Sequence, residues 1–354
     1  MNKVFKNLKV VEIASVLAGP SVGMFFSELG AEVIKVENEK TKGDVTRSWK
    51  LPSEPKDVNL SAYFCAVNYK KKYLFLDLTH HNDIVKVKQL ISECDIVILN
   101  FKKGDDIKFG LDYNTLKQIN KKLIYASING FGEHSDRVAY DLILQAETGF
   151  MSMNGTPDSG PVKMPVALID ILAGHQLKEG ILVALLEREK TGQGQKISVS
   201  LYDSAIASLA NQATNWLMGR HIAKPIGSKH PNIAPYGELF KTKDNKLITF
   251  AIGSNKQFIN LCNILNLSTL SNDSRFNDNR NRVKNRVELE DILSQEIIKY
   301  VAEELISKLH QSFVPVAKIN NIDEVFKNKD AQRLILTENI QGVDTKCVKT
   351  VVFK

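Results

Sequence analysis

The chain has 354 residues, 43% hydrophobic and 25% charged, ordinary proportions for a globular protein and too long for one small core. Its formal charge of +7, from 47 basic and 40 acidic residues, is dispersed, which excludes a nucleic-acid tail and suits small anionic ligands. Cys65, Cys94, Cys262 and Cys347 form no CxxC pair, so no zinc or dithiol motif is indicated and a reducing compartment is expected. The first apolar run contains Glu12 and lacks a small-residue cleavage site, and no stretch of about 18 apolar residues exists. A cytoplasmic location without membrane contact is therefore the expectation.

In chain order, LKVVEI (8–13) reads as a buried strand. A break follows at Gly19 and Pro20, then a helix ending at Gly30, then a strand over AEVIKVE (31–37). That is one βαβ crossover in length. KKYLFLDL (71–78) reads as a strand, 82–93 as a helix, DIVILN (95–100) as a strand, 111–120 as a helix and KLIYASING (122–130) as a strand. The alternation predicts an α/β fold with a doubly wound, mainly parallel sheet. MPVALID (164–170) is strand-like, 171–189 is a long helix, KISVSLYD (196–203) alternates as a strand, and 204–219 is helical. The stretch KPIGSKHPNIAPYG (224–237) reads as a linker into a smaller α+β domain. The predicted organisation is a large catalytic domain over 1–203, a connecting helix and linker over 204–224, and a small domain over 225–325. A weakly patterned segment, 326–354, returns to the large domain.

Asp170 closes one apolar segment and opens a helix, at the kind of strand end where open α/β sheets bind ligands. From position alone an N-cap is the commoner role. A carboxylate nucleophile is chemically open as well, because it splits one acyl transfer into easier steps. Tyr140, in AYD (139–141) after Arg137, can donate to an anion or simply pack at a helix start. The lysines of NYKKK (68–72), with Lys102, Lys103 and Lys108, are candidate phosphate contacts or solvated surface charges. No G-x-G-x-x-G, Walker loop, H-E-x-x-H or G-x-S-x-G motif is present, and the histidines lack metal-ligand spacing.

The blocks VVEIASVLAGPSVGMFFSELGAEVIKVE (10–37), GDVTRSW (43–49), FGLDY (109–113) and IYASINGFG (124–132) resemble the family III CoA-transferases. So do AYDLILQAETGFMSMNGTPDSGP (139–161), VALIDILAGHQLKEGILVALLEREKTGQGQKISVSLYD (166–203) and HPNIAPYGELFKTKD (230–244). The resemblance spans nearly the whole chain. It implies a transferase moving CoA between carboxylic acids through a catalytic aspartate in a D-x-x-x-G pattern, here Asp170 and Gly174, with Tyr140 beside it. It places Val16 and Ala18 along the CoA path, and Lys71, Asn100, Phe101, Lys108 and Arg137 near its nucleotide part. It also implies an interlocked homodimer and no cofactor beyond CoA as substrate. Arg47, in GDVTRSW, is a candidate anchor for the distal carboxylate of a dicarboxylate acceptor, since Arg binds carboxylates bidentately. The alternative is a loop pair with Asp44. The small-domain pattern KQFINLCNILNL (256–267) looks most like transferases that use succinyl-CoA with dicarboxylic acids.

Two rival activities remain open at this point. One is a 2-methylacyl-CoA racemase, disfavoured because its histidine is replaced by Tyr140, and a phenol with a reference pKa of about 10 is a poor base at neutral pH. The other is a CoA-binding relative without turnover, raised by VPVAKINN (314–321), which lacks the family's Gly-Pro, and by an end one short segment earlier than in relatives. Leu17 in place of glutamine and GSNKQ (253–257) in place of a glycine-rich loop point away from oxalate and formate.

Overall fold

The computed structural model describes residues 3–353. Six segments form one sheet: β1 (Lys9–Ile13), β2 (Glu32–Asn38), β3 (Lys72–Leu76), β4 (Ile96–Leu99), β5 (Ile124–Asn129) and β6 (Lys196–Ser200). Their order is β3-β2-β1-β4-β5-β6, and every neighbouring pair is parallel. β4 is buried at all four positions, because helices cover both faces of a parallel sheet. Alternate side chains serve the two faces. Val10, Ile96 and Ile98 meet α1 (Ala18–Glu28) and a long helix at Leu168–Thr191, whereas Val11, Val97 and Leu99 meet the helices His81–Ser92 and Tyr113–Ile119. The chain winds from β1 to one side through β2 and β3, and then to the other through β4. The reversal leaves a crevice beyond the carboxyl ends of β1 and β4.

Two further helices matter for this crevice: α2 (Asp141–Glu147) and α3, the long helix Leu168–Thr191. α3 packs closely on α1 at Gly174. A Cβ there would lie 2.5 Å from Ser21 Oγ and 3.3 Å from the Ala18 carbonyl oxygen. The strand expected over 164–170 is absent, and α3 already begins at Leu168. Side chains of α2 take the backbone groups a strand would have offered to a neighbour. Gln145 accepts from the Met164 N–H (2.8 Å) and donates to the Met164 carbonyl (3.3 Å), while Asp141 accepts from the Ile169 N–H (2.7 Å). The strand expected over 196–203 stops at Ser200, whose hydroxyl caps the next helix, Leu201–Ala207, by accepting from the Asp203 N–H.

These elements belong to one unit, formed by the residues up to Gly155, Ser159–Lys224 and the residues from Gln332 onward. The second unit, Thr156–Asp158 with Pro225–Ala331, has its own antiparallel sheet. Its strands β7 (Tyr236–Lys241), β8 (Leu247–Ala251) and β9 (Val316–Lys318) run in the order β9-β8-β7. Phe240, Phe250, Phe258 and Leu293 lie at its core. Beyond it, the weakly patterned C-terminal segment forms a hairpin, β10 (Ile335–Ile340) and β11 (Val343–Val348), turned at Gly342 with φ 86°. The hairpin is tied into the first unit. Glu338 accepts from the Lys70 N–H, Thr350 bonds Glu28, and Val351 is buried in the main core. Among the described residues no helix is long and apolar enough to cross a membrane.

Candidate active site

The crevice at the sheet reversal is a cavity of about 250 Å³. The turn after β1 contributes Val16 and Ala18, the end of β4 contributes Asn100 and Phe101, and the segment before α2 contributes Arg137 and Tyr140. The first turn of α3 contributes Asp170. Residues up to 154 positions apart in sequence therefore meet because the parallel strands all end on the same side.

Asp170 is the third residue of α3, and Ala167 occupies the N-cap position, so Asp170 does not cap its helix. It is 7% exposed, and no hydrogen bond to its carboxylate exists among the described residues. Burial, and then the charge of Asp141, push its pKa up to about 7. Desolvation at this position outweighs any stabilisation of the charged form by the helix N-terminus. Asp141 is a site residue that reading AYD for its tyrosine alone missed. Its carboxylate accepts from Ile169 N–H and Gln145 Nε2 and so fixes the start of α3. Tyr63 also lies in the field of this group. Burial, then Asp170, Asp141 and Asp44, push its hydroxyl up to about 12, leaving a neutral donor that packs edge-on against Trp49.

Tyr140 is 56% exposed and precedes α2. Arg137 is held bidentately by Glu147, and its guanidinium lies 3.9 Å from the centre of the Phe131 ring. Asn100 is turned toward the backbone: it accepts from the Ser15 N–H (3.0 Å) and donates to the Ser15 carbonyl (2.8 Å). A second cavity, about 460 Å³, adjoins the first and shares Ser15, Asn100, Phe101 and Lys102 with it. Lys40 and Phe109 line it further out. Lys108 lines neither cavity, but its ammonium is 5.5 Å from the ring of Phe109.

Lys71 and Arg47 are elsewhere. The Lys71 ammonium is fully buried against Glu12 (2.7 Å), Asn68 Oδ1 and the Pro20 carbonyl, and burial lowers its pKa to about 8. A group so enclosed faces no phosphate in this chain. Arg47 is 1% exposed. Its pair is Glu37 rather than Asp44, bound through Nε (2.7 Å) and Nη2 (2.6 Å), and it stacks 3.8 Å from the centre of the Phe64 ring. The expected reach of Arg47 into the cleft is corrected, because the guanidinium's partners are all internal.

A model of CoA-transferase family III matches residues 5–353. A succinate–glutarate CoA-transferase from Agrobacterium fabrum is 39% identical over 343 residues, covering 95% of this chain and 85% of that protein. The succinyl-CoA:glutarate CoA-transferase of Mus musculus is 37% identical over 327 residues, covering 92% and 74%. An acetyl-CoA:oxalate CoA-transferase from Acetobacter aceti is 32% identical over 324 residues, covering 90% and 82%. The crystal structure of a CAIB/BAIF family protein from Brucella suis superposes with a TM-score of 0.88 at 37% identity, covering 100% of this chain and 93% of that one. The chain thus belongs to CoA-transferase family III and is an enzyme that transfers CoA.

Proposed function

We propose that the enzyme moves CoA from succinyl-CoA to a dicarboxylic acid of the glutarate type, through covalent intermediates on Asp170, as a homodimer. The donor and acceptor follow the names of the Agrobacterium and mouse relatives. The observation that carries the mechanism is a buried carboxylate, free of hydrogen bonds among the described residues, in the cleft at the sheet reversal.

The reaction balances without redox chemistry. An Asp170 oxygen attacks the succinyl carbonyl, the C–S bond breaks, and CoA leaves as thiolate with an aspartyl–succinyl anhydride behind it. The thiolate attacks the aspartyl carbonyl, expelling succinate and forming an aspartyl-CoA thioester. The acceptor carboxylate attacks that thioester, releasing the thiolate, which then takes the acceptor's acyl group and restores Asp170. Each step exchanges one activated acyl bond for another. Without protein donors among the described residues, the carboxylate enters the first step with no protein hydrogen bond to break. Tyr140 offers a hydroxyl to the departing or arriving acid. The second cavity, which adjoins the first along Lys102, has room for the nucleotide end of CoA.

The test incubates the protein with succinyl-CoA and a panel of mono- and dicarboxylic acids and reads new CoA esters by mass spectrometry. Glutaryl-CoA is expected in the wild type, with no transfer by Asp170→Ala. Hydroxylamine trapping should mark the peptide that contains Asp170. Full activity in Asp170→Ala defeats the covalent mechanism, and ester formation from monocarboxylates alone defeats the acceptor assignment.

A further inference from the structure

Val16 has a backbone that its side chain resists. Its φ of 71° is in the left-handed region, where a β-branched residue is a genuine outlier. Such a conformation persists only where the surroundings impose it. Two clamps do so here. On one side, the Asn100 amide binds both the N–H and the carbonyl of Ser15. On the other, the Val16 N–H donates to both oxygens of Asp44, at 3.3 and 3.2 Å.

Asp44 is itself held on several sides. Its Oδ1 accepts from the Thr46 N–H and hydroxyl, and its Oδ2 is 3.1 Å from the ammonium of Lys35. Lys35 is fully buried and also donates to Glu12 (2.9 Å) and to the Ala14 carbonyl (2.6 Å). Glu12 in turn meets Lys71. The Asp44 N–H donates to Glu37, the partner of Arg47. A buried chain of alternating charges thus ends on one strained amide at the cleft wall.

We infer that Asp44 is a positioning residue: anchored by Lys35, it holds the turn after β1 in the left-handed form that presents Val16 and Ala18 to the cleft of Asp170. This rests on the reading of that cleft as the acyl-CoA site. The test pair is Lys35→Met with Asp44→Ala, which removes both charges together and leaves no lone buried ion. With circular dichroism unchanged, kcat with succinyl-CoA and glutarate should fall by about tenfold or more. Adding Val16→Gly should recover about threefold or more of the loss, because glycine adopts this φ without a clamp. A folded pair with wild-type kcat, or a loss that is the same with and without Val16→Gly, overturns the inference. If the pair unfolds, refolding on addition of Val16→Gly supports it, and unfolding in both overturns it by assigning the network to the fold alone. Trapping of the Asp170 adduct in the wild type is run alongside. Its absence removes the acyl-CoA reading and this inference with it, whereas an adduct in the wild type with an unaffected variant removes the positioning role only.

Discussion

At Asp170, burial first and Asp141 second raise the carboxyl from 3.8 to about 7. Two consequences follow, with definite signs. In the proposed mechanism attack needs the ionised form, so kcat/KM, which reports the free enzyme, should fall as the pH drops below about 7, approaching tenfold per pH unit on the acid limb. Asp141→Asn keeps an acceptor for the Ile169 N–H and removes the charge, and it should move that limb to lower pH. For stability, the folded state holds a proton between about pH 4 and 7 that the unfolded chain has released. Stability from this group is therefore present below pH 4 and is lost as the pH rises through 7, at up to about 1.4 kcal/mol per pH unit. Asp170→Asn, which stays neutral, should gain Tm relative to wild type between pH 5 and pH 8, read by thermal denaturation at each pH. An acid limb unmoved by Asp141→Asn would assign the raised pKa to burial alone.

At the scale of elements, the glycine of the D-x-x-x-G pattern has a packing role. One turn beyond Asp170, Gly174 lets α3 approach α1 so closely that any Cβ collides with Ser21 Oγ. Gly174→Ala should then destabilise by about 1–3 kcal/mol despite the better helix propensity of alanine. Ser21→Ala removes the obstructing oxygen and should return part of the loss. A Gly174→Ala variant with an unchanged or higher Tm would mean the helices separate without cost. The same closeness brings the start of α3, and with it Asp170, beside the turn after β1. The packing of these two helices therefore also sets where Asp170 stands.

For the whole molecule, the first unit leaves an apolar set open to solvent: Val183 and Leu186 on α3, with Leu217, Met218 and Ile222 farther along the chain, each at least 55% exposed. A partner surface seated on these side chains would remove them from water. The homodimer proposed above supplies a second copy, and in the interlocked form implied by the family resemblance the copies cannot part without partial unfolding. Light scattering and native mass spectrometry from micromolar to nanomolar protein should then give a single dimer mass. A monomer growing in on dilution would mean that the copies merely touch.

What was legible in the sequence was local and periodic. The strands from Lys9–Ile13 to Ile124–Asn129 are short apolar runs between helices, and side-chain period follows backbone geometry, so their alternation already specifies a doubly wound sheet. The resemblance to the family III CoA-transferases, rather than any local pattern, named Asp170, Tyr140, Val16, Ala18, Asn100, Phe101 and Arg137, and the sheet reversal gathers them on one cleft. The fate of each charge was not legible, because a lysine letter is the same in water and in a core. Lys71, from a run of three lysines, is enclosed by Glu12, while Lys72 beside it pairs with Glu32 on the surface. Arg47 turned inward because Glu37, ten residues earlier on β2, offered two oxygens in a dry site. Residues 164–167 have the composition of a strand, yet Gln145 takes both backbone groups of Met164, a choice made by a side chain on a helix distant in sequence. The left-handed turn at Val16 has no glycine to announce it. Only the tertiary structure, by bringing Asp44 and Asn100 to that turn, could impose a conformation the residue itself disfavours.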